Sequence, residues 1–202
     1  MMKILYDHQM FGLQRFGGIS RYFVELMSRL PEGYEFGNSI ILSNNVYLND
    51  ASDKFSKGRS FPQFRGSTRI VKFINSNGSL RKIRKSDFDV FHPTYYDPYF
   101  LKTLKQPYVV TVHDMIHEKF SELFSSNYRT KEFKKEVITR ADRIIAISQN
   151  TKKDIIDIYG ISDDRIEVIY HGHSHDEQQI KPVYNLPKKY ILFVGQRDGY
   201  KN

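Results

Sequence analysis

Arg143-Ile144-Ile145-Ala146-Ile147-Ser148, running into Gln149-Asn150-Thr151-Lys152-Lys153-Asp154-Ile155-Ile156-Asp157-Ile158-Tyr159-Gly160 and followed by Ile166-Glu167-Val168-Ile169-Tyr170, is the stretch that decides the fold. Its first part is a short apolar run of strand length, the pattern of a strand buried on both faces. Ser148 stops that run and suits a helix N-cap, because its hydroxyl can accept a bond from an early free N–H. A helix is predicted over Gln149 to Tyr159, and Gly160 supplies the left-handed position that closes it. The run from Ile166 to Tyr170 is a second strand. Strand, capped helix and strand make a βαβ unit, which implies a parallel sheet.

The same alternation extends through the chain. Lys3 to Tyr6 is a short strand, and the loop after it ends in Gly17-Gly18. Ile19, Tyr22, Phe23, Leu26, Met27 and Leu30 then form the one-sided stripe of a helix packed on a sheet, ended by Pro31 and Gly33. Ser39 to Leu42 reads as a second strand and Arg69 to Ile74 as a weaker third. Asp89 to His92 and Tyr108 to His113 read as buried strands, with a helix from Tyr128 to Arg140 after them. The expected architecture is α/β: a Rossmann-like open parallel sheet with helices on both faces, over residues 1–188. Beyond Pro182 and Pro187, Tyr190 to Gly195 reads as a fresh buried strand, leading into a turn with Arg197 and Lys201. Residues 189–202 are therefore expected to open a second domain that is otherwise absent.

Composition narrows the classes. The 202 residues include 15 Phe, 14 Tyr and no Cys, which gives ample core material and excludes disulfides, Cys-based zinc sites and thiol nucleophiles. No apolar stretch has signal-peptide or membrane-span length. The expected compartment is the cytoplasm, at the inner face of a membrane. The net charge of +8 is uneven: from Asp50 to Phe88 there are ten basic and three acidic residues, whereas the rest of the chain is nearly balanced. That segment reads as a long connection with short ordered pieces, and it is either a solvated basic loop or a surface for an anionic partner, such as a lipid headgroup, a lipid-linked phosphate or a nucleic acid.

Ligands of an open parallel sheet bind beyond the carboxyl ends of its strands, where the chemistry-bearing residues here gather. Gly17 and Gly18, before an amphipathic helix, suit a phosphate at the positive end of the helix dipole. They serve equally as a tight strand-to-helix turn. The P-loop and G-x-G-x-x-G signatures are missing, which weighs against an ATPase or dinucleotide enzyme. His113, followed by Asp114, is a hydrogen-bonding group for a sugar hydroxyl or carbonyl oxygen. His92, Tyr95 and Tyr96 offer polar-tipped aromatics against which a sugar ring could stack. Arg197 and Lys201 suit a diphosphate. The spacings His113-x-x-x-His117 and His171-x-His173-x-His175 raise a metal site, but the first lacks the Glu of a zincin helix and the second sits in a polar loop, so no metal is expected.

With these residues assembled, the chain resembles the N-terminal part of a family 4 (group 1) retaining glycosyltransferase with the GT-B fold. The resemblance rests on Phe16-Gly17-Gly18-Ile19-Ser20-Arg21-Tyr22, Asp89 to His92, Thr111-Val112-His113-Asp114, Ala141 to Ser148 with Thr151 to Asp154, Ile166 to Gly172, and Ile191 to Gly195 with Arg197 and Tyr200-Lys201-Asn202. It implies a UDP- or GDP-sugar donor, no other cofactor, and a saccharide or lipid-linked acceptor in surface polysaccharide or glycolipid synthesis. On this resemblance Gly17, Gly18, Arg197 and Lys201 face the donor diphosphate, His113 and Asp114 are catalytic, and His92, Tyr95 and Tyr96 hold the acceptor. The family's paired glutamates belong to the C-terminal domain, so the 202 residues alone are expected to be nearly inactive. Peripheral contact with an anionic membrane is expected and nucleic acid is not. The alternative is a non-catalytic anion- or nucleic-acid-binding module using residues 50–88, which would show strongly salt-dependent binding.

Overall fold

The computed structural model describes residues 1–51, 54–123, 129–173 and 187–193. Six short strands, β1 (Met2–Tyr6), β2 (Tyr34–Asn38), β3 (Val90–His92), β4 (Val109–Val112), β5 (Arg143–Ala146) and β6 (Ile166–Val168), pair in the orders β2-β1-β3 and β4-β5-β6, all parallel. A parallel bridge between Phe91 and Tyr108, with the Phe91 N–H donating to the Pro107 carbonyl at 3.0 Å, joins the two halves. Parallel strands need crossovers, and helices supply them: α1 (Gln9–Leu13), α2 (Gly18–Ser28), α3 (Val46–Asp50), α4 (Ser67–Lys85), α5 (Ile116–Lys119), α6 (Thr130–Arg140) and α7 (Gln149–Tyr159). This is the expected Rossmann-like α/β architecture. The chain leaves β1 outward to β2 and returns on the other side as β3. The crevice between the ends of β1 and β3 is therefore the topological switch point, where open α/β sheets bind ligands.

The βαβ unit forms as its residues predict. The Ser148 hydroxyl accepts from the Thr151 N–H at 3.1 Å, and Gly160 ends α7 at φ +66°. Ile144, Ala146 and Ile155 are fully buried in the core cluster that also holds Val110, Val112 and Phe91. A second cluster, with Phe11, Phe23, Met27 and Leu48, lies beneath α2 and α3.

Two expectations are corrected. The second strand is Tyr34–Asn38, not Ser39 to Leu42, because pairing with β1 runs Met2 to Tyr34 through Tyr6 to Asn38. Ile40 and Leu42 are buried from a loop instead. Arg69 to Ile74 is not a strand but part of α4, a 19-residue helix inside the basic segment expected to be mostly connection. Its inward side escaped notice because it is polar. The Asn75 side chain accepts from the N–H groups of Ile41 and Leu42, both at 2.9 Å, and donates to the Leu42 carbonyl at 2.8 Å, pairing with the loop as a strand would. Gly78 allows the same loop close approach, since a β-carbon there would lie 2.3 Å from Ile41 Cδ1. Of the strand expected from Tyr190 to Gly195, residues 190–193 are described; they are exposed and in no strand. Gly195 falls outside the described residues.

The Asn75 bonds predict a measurable asymmetry along α4. Asn75→Ala would strand the buried N–H and carbonyl of Leu42 and the partly buried N–H of Ile41 and should cost about 2 kcal/mol or more, whereas Asn77→Ala, at an exposed position of the same helix, should stay within about 0.5 kcal/mol. Urea denaturation of the two variants compares them directly.

Candidate functional site

The carboxyl end of β1 passes directly into Asp7, which is wholly buried. Its carboxylate accepts from the Thr94 N–H at 2.8 Å, the Thr94 hydroxyl at 2.7 Å, the Gln9 side-chain amide at 2.8 Å, the Gln9 N–H at 3.3 Å and the Tyr99 hydroxyl at 3.1 Å. Gln9 in turn pairs with the backbone of Asp97, accepting from its N–H at 2.7 Å and donating to its carbonyl at 3.2 Å. These bonds tie the start of α1 to the loop after β3. Beside them the imidazole of His8 meets the Ser79 hydroxyl of α4 at 2.7 Å, and Ser79 meets Ser39 at 2.6 Å.

A cavity of about 330 Å³ opens on this scaffold, walled by α1, the first two turns of α4, the Tyr95-Tyr96-Asp97 loop and the first turn of α6. Tyr95 and Tyr96 line it with Phe133, while Lys72 and Arg129 bring positive charge to it. Lys72 also pairs with Asp97. The cavity is concave, largely apolar and carries a few polar groups, the usual make-up of a small-ligand site.

Tyr96 connects this cavity to the end of β4. Its hydroxyl donates to the Thr111 carbonyl at 3.2 Å and accepts from the His113 N–H at 3.4 Å. On its other side lies Lys134, only 1% exposed, whose ammonium is 5.4 Å from the Tyr96 ring centroid. That ammonium donates to the Asp114 carbonyl at 2.6 Å and to Glu118 at 2.9 Å, and Glu118 also accepts from the Tyr159 hydroxyl at 2.7 Å. Burial of this ion pair between α5, α6 and α7 holds the His113-Asp114 turn against the sheet. Asp114 itself is partly exposed beyond β4.

Around His113 the aromatics converge. Tyr22 of α2 packs edge-on against it, with ring centroids 5.3 Å apart, and His171, beyond β6, stacks on it at 5.5 Å. Burial, with His171 and Lys134 nearby, lowers the His113 pKa to about 4, so its ring is neutral near pH 7. Its Nε2 is buried and has no hydrogen-bond partner among the described residues. That nitrogen is ready to donate to, or accept from, an incoming group. The structure thus brings together Tyr22, His113 and His171 at one edge, with Tyr96 shared between that edge and the cavity.

His92 stands elsewhere. It is buried between Tyr6 and Phe23, its Nε2 is 3.0 Å from the Thr111 hydroxyl, and burial, with His113 nearby, pulls its pKa down to about 3. It does not line the cavity; the same Thr111 hydroxyl lies 3.3 Å from that of Tyr22, so His92 braces the site from beneath. Gly17 is extended and leads into α2 at Gly18, where a β-carbon would meet open space. The Gln14 side chain lies over Gly17 and accepts from the Ser20 N–H at 3.4 Å. Arg197, Lys201 and His175 lie outside the described residues. Among the described residues no group of three or more His, Asp or Glu is placed to hold a metal ion.

Asp7, Lys134 and Glu118 were missed from the sequence. Lys134 left one signal: it shares a helix stripe with Val137 and Ile138, where an unpaired lysine would not be tolerated.

A family model described as Glycosyltransferase Family 4 matches residues 16–177, which takes in every strand from β2 to β6 and the whole His113 edge. The chain belongs to this family. Among solved structures, the family 4 chain is similar to one titled lipopolysaccharide outer core galactosyltransferase WaaB in its apo form, at 15% identity and a TM-score of 0.50, over 87% of this chain and 47% of that one. A glycosyltransferase from Rickettsia africae ESF-5 is also similar, at 16% identity and a TM-score of 0.43, over 85% of this chain and 43% of the other. The WaaB likeness supports the fold, the N-terminal half of a GT-B arrangement. The family 4 chain spans about half the length of these solved structures. No curated protein sequence compared with it matches.

Two measurements probe the site's electrostatics. Lys134→Met should cost about 3 kcal/mol by leaving Glu118 buried without its cation, and adding Glu118→Gln should recover a good part of that loss. Because His92 and His113 have lowered pKa values in the fold, the unfolded chain takes up protons first as pH falls. The stability they carry is complete above about pH 6.5 and is lost on acidification toward their folded values of about 3 and 4. His92→Gln should remove about 1.4 kcal/mol per pH unit from the slope of stability between about pH 6 and 4, read from urea midpoints.

Proposed function

We propose that this family 4 domain is the acceptor-side half of a retaining glycosyltransferase, which moves a sugar from a UDP- or GDP-sugar to a saccharide or lipid-linked acceptor in surface polysaccharide or glycolipid synthesis. The observation that carries the reading is the shared wall at Tyr96: a small-ligand cavity on one side and, on the other, a neutral His113 with a buried nitrogen unsatisfied among the described residues. A transferase needs two substrates side by side, and this arrangement has room for one beside a hydrogen-bonding edge for the other.

In this reading the acceptor lies in the cavity against Tyr95 and Tyr96, and the donor sugar lies beyond the ends of β1 and β4. His113 Nε2 hydrogen-bonds a donor hydroxyl, Asp114 flanks it, and His92 holds the shape beneath. The amides at Gly17 and Gly18 face the diphosphate, which Arg197 and Lys201 also contact. The bond from the sugar's anomeric carbon to the phosphate breaks as the acceptor oxygen bonds to the same face, and the acceptor proton passes to the departing phosphate. The protein's contribution is position and charge stabilisation.

The test is release of UDP or GDP by the chain completed with a donor-binding domain of the family, assayed over a panel of nucleotide sugars and acceptors. His113→Ala should lower turnover about 100-fold, while Tyr95→Ala should act mainly by raising the acceptor KM. Absence of nucleotide-sugar consumption with every donor and acceptor would overturn the reading.

A further inference from the structure

Helix α4 turns a largely polar side inward. Its buried residues along one side are Asn75, Ser79 and Ile83, with Ser67 at its start, and two of those polar groups are spent on the 39–43 loop and on His8. On the opposite side, successive turns carry Ile70, Phe73, Asn77, Arg81 and Arg84, all exposed. Phe73 is 71% exposed and Ile70 41%, and Phe64, 54% exposed, stands just before the helix beside Arg65. A water-facing helix ordinarily turns its apolar side inward. Here Ile83 does so, but Asn75 and Ser79 share the buried side while Ile70 and Phe73 face out.

Charge sharpens the point. From Lys54 to Ser86 there is no acidic residue and there are ten basic ones. Arg81 and Arg84 pair with no carboxylate among the described residues. Between Ile70 and Arg84 this ridge runs about 21 Å along the helix, long enough to lie flat on a surface.

We propose that the outer face of α4, together with Phe64 and Arg65, is a docking surface for an anionic lipid bilayer. Exposed Phe and Ile side chains enter the boundary between headgroups and acyl chains, while arginines alongside meet lipid phosphates. The two kinds of residue occur on one ridge, as that boundary requires. A second copy of the chain fits poorly, because a two-fold contact would set this cationic face against itself. A nucleic acid would take the arginines but leave Ile70 and Phe73 unused. The first two turns of α4, through Thr68 and Lys72, also wall the cavity, so docking would bring the cavity close to the lipid surface. No helix among the described residues is long and apolar enough to cross a membrane.

The experiment is vesicle co-sedimentation of the 202-residue chain and reads docking without any sugar transfer, so it can fail while the transferase reading stands. Phosphatidylcholine vesicles containing phosphatidylglycerol should retain the chain, pure phosphatidylcholine should not, and high salt should release it. The pair Ile70→Ser with Phe73→Ser, and separately Arg81→Gln with Arg84→Gln, should each weaken binding about tenfold or more, with circular dichroism unchanged. If the first pair unfolds the chain, Phe73→Ser alone, at the most exposed of these positions, makes the same measurement. The proposal is overturned by absence of binding to the anionic vesicles, or by full binding of both variant pairs. It also falls if Phe73→Ser dissolves a dimer of the lipid-free chain, or if RNA is retained on filters where vesicles are not.

Discussion

A carboxylate sealed from water imposes its own geometry, and Asp7 imposes it on the whole ligand-binding edge. It is fully buried and accepts five hydrogen bonds from Thr94, Gln9 and Tyr99. A buried carboxylate that lost those donors would be left with several kcal/mol of uncompensated desolvation. The loop after β3 therefore has little freedom to leave the end of β1. The cavity depends on that constraint, because Tyr95, Tyr96 and Asp97 all belong to the pinned loop. His8 extends the network one residue further to Ser79, bringing α4 to the same edge.

A second buried charge works from the other half of the sheet. Lys134 is satisfied by Glu118, the Asp114 carbonyl and the face of Tyr96. Its environment joins three helices to the turn that carries His113. Tyr96 is touched by both systems, since Asp7 shapes its loop and Lys134 covers its ring. The two walls of the site are consequently coupled through one aromatic side chain, and the neutral His113 beside it owes its lowered pKa chiefly to the same burial.

How much of this could be read from the residues varies with the kind of signal each element carries. The unit from Arg143 to Val168 was legible because its apolar run, N-cap and closing glycine agree with one another and with the tertiary packing. Helix α2 was legible for the same reason, its apolar stripe facing the core it packs on. Helix α4 was not, because it buries Asn75 and Ser79 where periodicity looks for apolar side chains. The run from Ser39 to Leu42 misled for the converse reason: Ile40 and Leu42 are buried as a strand's residues would be, yet the β1 register belongs to Tyr34 through Asn38. His113 and the two tyrosines stood out as strand-end residues, and so did His92, which sits in the core instead.

The sequence by itself determined the α/β class, the parallel sheet, most element boundaries after Asp89 and the set of polar residues at the strand ends. Those properties follow from local periodicity, capping and turn chemistry, which act over a few residues. The tertiary structure alone decided which of those residues share a cavity, that a lysine and a glutamate meet in the interior, and that a basic stretch is a helix with Ile70 and Phe73 facing outward. These depend on which distant groups satisfy one another's hydrogen bonds and charges. Asn75 meets the loop at Leu42, and Asp7 meets Thr94. No spacing along the chain encodes such partners.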